Sequence, residues 1–363
     1  MKVVFFRMRL RFTITALLLA ALMLCGASAS AQKKPADKVK EKGAAAAAEE
    51  RDEAEVAREA EAEAEREEAQ TLSQAAVAAA PDVNVTLSTT GGHITVRGTD
   101  RKEVRARAMT NGAKLKIRVA GGPESGPESA ATRVEIQVSE KMRGGEEEYE
   151  SCLADNDVEL EVPRGATVYL KTQDGDIEVW DVAEAHLETN DGRIEATRIS
   201  KAFDAASLGG DVTLADASGR ASLTTLNGVI DVHGVRPLDG SDFLKVKTVS
   251  GDILLAEIGP ARVEANTISG QLRLAGRLAR GGTYDFTTTT GDVTVVMPPD
   301  SSFKVNARVS EHGEIITDFP LQYKGPGAPA APLQTGRLLG THGSGDATIN
   351  LISFSGTLSL RKQ

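Results

Sequence analysis

Aromatic side chains make up only 4% of the 363 residues, with a single Trp, which excludes a thick core built on large rings. Five His and two Cys leave too little material for a metal cluster, a redox pair or a disulfide framework, and no cofactor or metal is expected. Positive charge is short as well. The 42 Lys and Arg stand against 52 Asp and Glu, and the net charge of −10 excludes the basic face that a nucleic-acid partner requires. The one long apolar stretch, Phe12 to Leu24, is shorter than the ~20 residues of a membrane-spanning helix. Glycine is what the chain has, 35 residues of it, beside many aliphatic residues. The length suits about two domains or one long repeat array.

The N-terminus reads as a secretory signal over residues 1–31. Lys2, Arg7, Arg9 and Arg11 form the positive region, Phe12 to Leu24 the apolar one, and Ala29-Ser30-Ala31 before Gln32 the small-residue cleavage site. Leu22-Met23-Leu24-Cys25 loosely resembles a lipidation box, but Leu24 is too bulky beside the Cys. Cleavage removes four positive charges and no negative ones, so the mature chain carries −14, one thiol and no spanning segment.

Residues 32–82 are an Ala/Glu-rich, low-complexity linker. Between Ala44 and Ala69, 11 Ala and 10 Glu fill 26 positions, which favours a helix. That helix has no apolar seam, and Glu55, Glu59, Glu63 and Glu67 repel at four-residue spacing, so it is expected to be partly formed and solvated.

The third segment, residues 83–363, is repetitive. Thr172-Gln-Asp-Gly-Asp-Ile-Glu-Val returns as Thr189-Asn-Asp-Gly-Arg-Ile-Glu-Ala and as Thr248-Val-Ser-Gly-Asp-Ile-Leu-Leu. Anchoring on the glycine gives ten copies, at Gly92, Gly175, Gly192, Gly210, Gly228, Gly251, Gly270, Gly291, Gly313 and Gly356, of which the eight from Gly175 to Gly313 recur every 17 to 23 residues. Three positions earlier stands a hydroxyl in all ten: Thr89, Thr172, Thr189, Ser207, Thr225, Thr248, Thr267, Thr288, Ser310 and Ser353. Two positions later stands an aliphatic residue in all ten. Apolar residues also fill nine of ten positions four after and five before the glycine, with Thr317 and Arg308 the exceptions.

Each copy is therefore two stretches of period two, hence two strand segments, joined at a corner. Gly is expected to supply unusual backbone angles there, and the hydroxyl to bond backbone groups left free by the turn. Two all-β architectures satisfy the columns. One is a β-solenoid, parallel and β-helix-like, with one coil of about 20 residues per copy. The other is an antiparallel barrel or sandwich with one hairpin per copy. Near-constant spacing, and a further apolar position seven after the glycine at Val182, Ile199, Val235 and Ile258, favour the solenoid. Gly92 and Gly356 stand apart from the regular array, separated from it by loop-like inserts at 112–156 and 320–345 that are candidates for closing its ends.

The run Val158-Glu-Leu-Glu-Val-Pro-Arg-Gly-Ala-Thr, the repeated Thr-x-Ser/Asp-Gly-Asp-Ile, Val296-Met-Pro-Pro-Asp-Ser-Ser-Phe and the closing Ser353-Phe-Ser-Gly-Thr-Leu-Ser-Leu resemble a bacterial family of candidate adhesins, otherwise catalogued as a domain of unknown function. The resemblance covers about residues 83 to 361 and implies a β-solenoid-like envelope or surface protein.

No catalytic residue is expected. Asp176, Asp211, Asp252 and Asp292 could line a solenoid edge, but the row is broken by Arg193, Val229, Gln271 and Thr357, and the Gly-Gly-x-Gly-x-Asp calcium pattern is absent. They read as turn chemistry on a solvated edge. His93, His186, His233, His312 and His342 share no ligand spacing, and Cys152 follows acidic residues that work against an activated thiol. The expected function is a non-enzymatic exported scaffold of the periplasm, outer envelope or cell surface, binding a protein or polysaccharide ligand. An envelope-stress sensor and a carbohydrate-acting β-helix enzyme are the alternatives. The enzyme would need charged residues of adjacent coils to converge in one cleft.

Overall fold

The computed structural model describes residues 74–108, 113–119, 130–141, 150–151, 156–310, 313–322 and 336–363. The expected signal peptide, the Ala44–Ala69 helix, Cys152 and His312 lie outside the described residues.

Every regular element among the described residues is a strand. Each copy sends the segment before its glycine into one parallel sheet and the segment after it into a second. In the pre-glycine sheet Thr167–Lys171, Glu184–Thr189, Ala202–Ser207, Arg220–Thr225, Phe243–Lys247, Arg262–Asn266 and Thr283–Thr290 follow one another in chain order. In the post-glycine sheet Ile177, Ile194, Val212, Ile230, Ile253, Leu272 and Val293 stack directly on one another. Parallel pairing between successive copies excludes the hairpin array, since hairpins pair antiparallel. The fold is a β-solenoid.

Alternation places the core. In the Gly175 coil Leu170, Thr172, Ile177 and Val179 are buried, and the same four positions are buried in each coil through Gly291, together with Val182, Ile199, Val235 and Ile258 at a further corner. Stacking identical aliphatic side chains in a narrow coil needs no large rings, which explains the scarcity of aromatics. Four rings gather toward one end: Tyr284 packs edge-on to Phe286, and Phe303 to Phe319.

Chain order and spatial order part at both ends. The strand Gln74–Ser88 lies beside Thr167–Lys171, and the chain then leaves to build the outer layer Ala131–Lys141 and Val158–Pro163 before returning. At the other end the last coil, Ala347–Ser355 followed by Thr357–Lys362, slides between the Gly291 coil and the Gly313 coil. Gly92 and Gly356 thus belong to the stack. Antiparallel strands Ala113–Val119 and Arg337–His342 cover the outer edges of the pre-glycine sheet, protecting them from pairing with other chains. The first strand begins at Gln74, so residues 74–82 of the expected linker are strand.

Candidate functional site

The glycine corner is a column of backbone contacts. A Cβ on Gly192 would lie 2.0 Å from the Gly175 carbonyl oxygen, one on Gly210 1.7 Å from that of Gly192, and the relation continues to Gly356 over Gly291 and Gly313 over Gly356. Close approach between coils, more than backbone angle, therefore demands glycine. Of the ten, only Gly92, Gly270, Gly291 and Gly356 have φ in the left-handed range.

The hydroxyls act between coils. Thr189, Ser207, Thr225, Thr248, Thr267 and Ser353 each donate to the carbonyl of the neighbouring coil's glycine, at 3.0–3.4 Å. Thr89, Thr172 and Thr288 occupy the same row, buried without a protein partner. Ser310 does not belong to it. In the Gly313 coil the buried residues are Phe303, Val305, Ala307 and Val309, one position out of phase with the motif, so Val309 sits beside Ser353 while Arg308 and Ser310 point outward. One extra residue before that corner explains why Arg308 broke its apolar column.

Turning the glycine carbonyl to the hydroxyl leaves the next coil's N–H, one residue past the glycine, without its ladder acceptor. A carboxylate takes it: Asp176 accepts from Arg193, Asp211 from Val229, Asp252 from Gln271, Asp292 from Thr357, and at the first coil Asp157 from His93, all at 2.7–2.8 Å. In spatial order the position reads Asp157, His93, Asp176, Arg193, Asp211, Val229, Asp252, Gln271, Asp292, Thr357, Glu314, acidic in every second coil. Adjacent coils are ~4.8 Å apart, where two like charges repel by about 1 kcal/mol even at the dielectric of water. Skipping a coil halves that. Among the described residues no three His, Cys, Asp or Glu gather as a metal site.

A second corner lies six residues past the glycine, where Asp181, Arg198, Asp216 and Glu257 adopt positive φ, as do Gly234 and Gly276. Charges alternate here too. Arg198 grips Asp181 through two bonds of 2.7 and 2.8 Å, and Arg164 bridges Asp181 at 3.2 Å and Asp100 at 2.9 Å. The Arg198 hydrogen bond holds the Asp181 carboxyl below its usual range against the opposing effect of burial, and the charges of Arg198 and Arg164 lower it further. A depressed carboxyl contributes stability that is present above its unfolded pKa, near ~3.9, and lost as pH falls through the folded value. Arg198→Ala should therefore cost about 0.5–1 kcal/mol at neutral pH, the modest value of a half-exposed pair, and the gap from wild type should close in urea melts below pH ~4.

The outer face of the pre-glycine sheet carries the one aromatic stack on a sheet surface among the described residues. Tyr169, 43% exposed, lies on His186 of the next coil at 4.7 Å between ring centroids with planes 6° apart. A groove of about 350 Å³ runs beside them, lined by Thr86, Ser88, Lys171, Glu188 and Asp204, with Lys171 paired to Glu188 at 2.6 Å. Tyr169 carried no signal in the sequence columns, because outward positions vary freely from coil to coil.

Comparison with known proteins agrees with this architecture. The Toastrack DUF4097 family matches residues 76–361. The chain belongs to that family. The Toastrack match begins within the first strand and ends in the last. No curated protein matches the chain. A solved structure of a candidate cell adhesion protein from Clostridium sporogenes ATCC 15579 aligns over 81% of this chain and 100% of its own length, at 10% identity and a TM-score of 0.22. In this Toastrack domain the carboxylates of the glycine corner accept backbone N–H groups, and Asp181 at the second corner is paired with Arg198 and Arg164.

Proposed function

We propose that the chain is an exported, non-enzymatic binding scaffold of the bacterial envelope or surface, preceded by a cleaved signal at 1–31 and an acidic linker. The observation that carries this reading is the distribution of charge. Along the glycine corner the carboxylates are spaced two coils apart and occupied by backbone N–H groups, and along the second corner Asp181, Arg198 and Arg164 neutralise one another. A glycoside-hydrolysing site on a solenoid needs two carboxyl groups aimed at one bond, with a raised pKa on the acid, and an eliminative one needs a basic residue aimed at the sugar. Asp181, Asp239 and Asp318 are held below the usual carboxylate range by hydrogen bonds from Arg198, Ser241 and the Lys362 backbone, as suits ion pairs and turn bonds. Regular stacking that fixes many outward side chains at ~4.8 Å intervals suits recognition of an extended partner.

The test joins location to binding. Mature protein recovered from the envelope should begin at Gln32, and the purified chain should retain a saccharide or protein component from envelope extracts. An uncleaved cytoplasmic protein, or one that retains nothing, overturns the reading.

A further inference from the structure

We propose that the slot above Thr86, between Tyr169 on one side and Glu135 with Gln137 on the other, binds a pyranose unit of a glycan. This deepens the scaffold reading and rests on it. Thr86 is in register with Tyr169 in the coil on one side and with Glu135 in the layer on the other. Two strand spacings, about 9.6 Å, therefore separate the Tyr169 ring from the Glu135 side chain, and subtracting about 1.7 Å of half-thickness for each leaves about 6 Å. That height admits one saccharide ring laid flat against an aromatic face. The floor is short because Thr86 and Ser88 are short, whereas His186 fills the equivalent space on the far side of Tyr169 and holds its ring upright.

The two walls differ in chemistry. Tyr169 offers an apolar face to the axial C–H bonds of a pyranose, as apolar ligand sites offer aromatic walls with a few placed polar groups. Opposite it, Gln137 Nε2 donates to Glu135 Oε1 at 2.9 Å, and this amide and carboxylate are of the type that hydrogen-bonds sugar hydroxyls. Lys171 is paired to Glu188, and beyond the far wall Arg118 and Lys116 stand in register with Glu135 and Gln137, so charges of both signs surround the slot. A single stacked ring of about a dozen heavy atoms binds with Kd on the order of millimolar, and a polymer presenting many such units binds more tightly.

The experiment is saturation-transfer NMR of the full chain with methyl β-glucoside, methyl β-galactoside, methyl α-mannoside and the corresponding neutral tetrasaccharides. At least one should bind saturably. Tyr169→Phe, which keeps the ring, should leave its Kd within about threefold, while Tyr169→Ala should raise it about tenfold or more. Thr86→Tyr, which extends the Tyr169–His186 stack into the slot, should abolish binding and leave the melting temperature unchanged or higher. Absence of binding by every glycoside, or binding indifferent to both Tyr169→Ala and Thr86→Tyr, overturns the slot. Retention of an envelope protein, with no saccharide, that is blocked by Thr86→Tyr also overturns it. In either case envelope retention by wild type would leave the scaffold reading standing.

Discussion

Gly251→Ala is expected to be among the most damaging single methyl additions in the chain, costing about 4 kcal/mol or more, while Gly240→Ala should be neutral or slightly stabilising. A Cβ on Gly251 would sit 1.9 Å from the Gly228 carbonyl oxygen and 2.7 Å from its carbon, both backbone atoms of the adjoining coil. Restoring ordinary contact moves the two coils apart by about 1.5 Å at that corner. The same carbonyl accepts the Thr248 hydroxyl at 3.4 Å, and beside it Gly251 N and Ile253 N donate to the coil on the other side at 3.0 and 2.8 Å. Several bonds worth about 1 kcal/mol each and part of the aliphatic stack are lost together. Gly240 has nothing within 4 Å and no left-handed φ, so a methyl there only restricts the unfolded chain. Urea melts of the two variants beside wild type make the measurement. Equal stability of the two would mean that the corner column is not held by close approach.

That column also shows what could be read in the sequence and what could not. The buried positions two and four after the glycine, and three and five before it, were legible because period two fixes which side chains face inward. The destination of the Thr189 hydroxyl was not, since its acceptor, the Gly175 carbonyl, lies in another coil and local pattern does not place coils relative to one another. The same limit applied to Gly356. Its motif is clear, but its position between the Gly291 and Gly313 coils is a pairing of distant strands that local pattern does not specify. Once Thr357 is placed before Glu314, the apparently broken acidic row becomes a regular alternation. The second corner was missed because Asp181, Arg198, Asp216 and Glu257 hold left-handed angles without being glycine. A signal existed in the recurrence of Gly or a charged residue six after the corner glycine. Ser310 misled for the opposite reason: the motif spacing was kept while one extra residue shifted the strand beneath it.

Alternation has a consequence for deleting coils, and it gives the second large effect. Removing the 18 residues Arg193 to Gly210 joins Gly192 to Asp211 and rebuilds an in-phase coil, so a stack whose coils touch only their neighbours should still melt cooperatively. Removing the 11 residues Arg193 to Phe203 leaves Gly192 and Gly210 only 7 positions apart, too few to complete a coil, breaks the phase and should leave the chain unfolded or aggregated. The in-phase deletion nevertheless carries a specific defect. It sets Asp176 directly against Asp211 and, with Arg198 gone, Asp181 against Asp216, each pair at ~4.8 Å and costing about 1 kcal/mol in water. Deleting the 36 residues Arg193 to Gly228 removes two coils and brings Asp176 beside Val229 and Asp181 beside Gly234, which restores the spacing of the acids. Stability of the one-coil deletion should therefore rise from low salt to 1 M, where the screening length falls to ~3 Å, and should rise again with Asp211→Asn. The two-coil deletion should gain no more from salt than wild type. Thermal melts of the three deletions at both salt concentrations distinguish the outcomes: an unfolded one-coil deletion beside a cooperative 11-residue deletion would sink the nearest-neighbour stack, and equal salt responses of the one-coil and two-coil deletions would show that the alternation is not electrostatic.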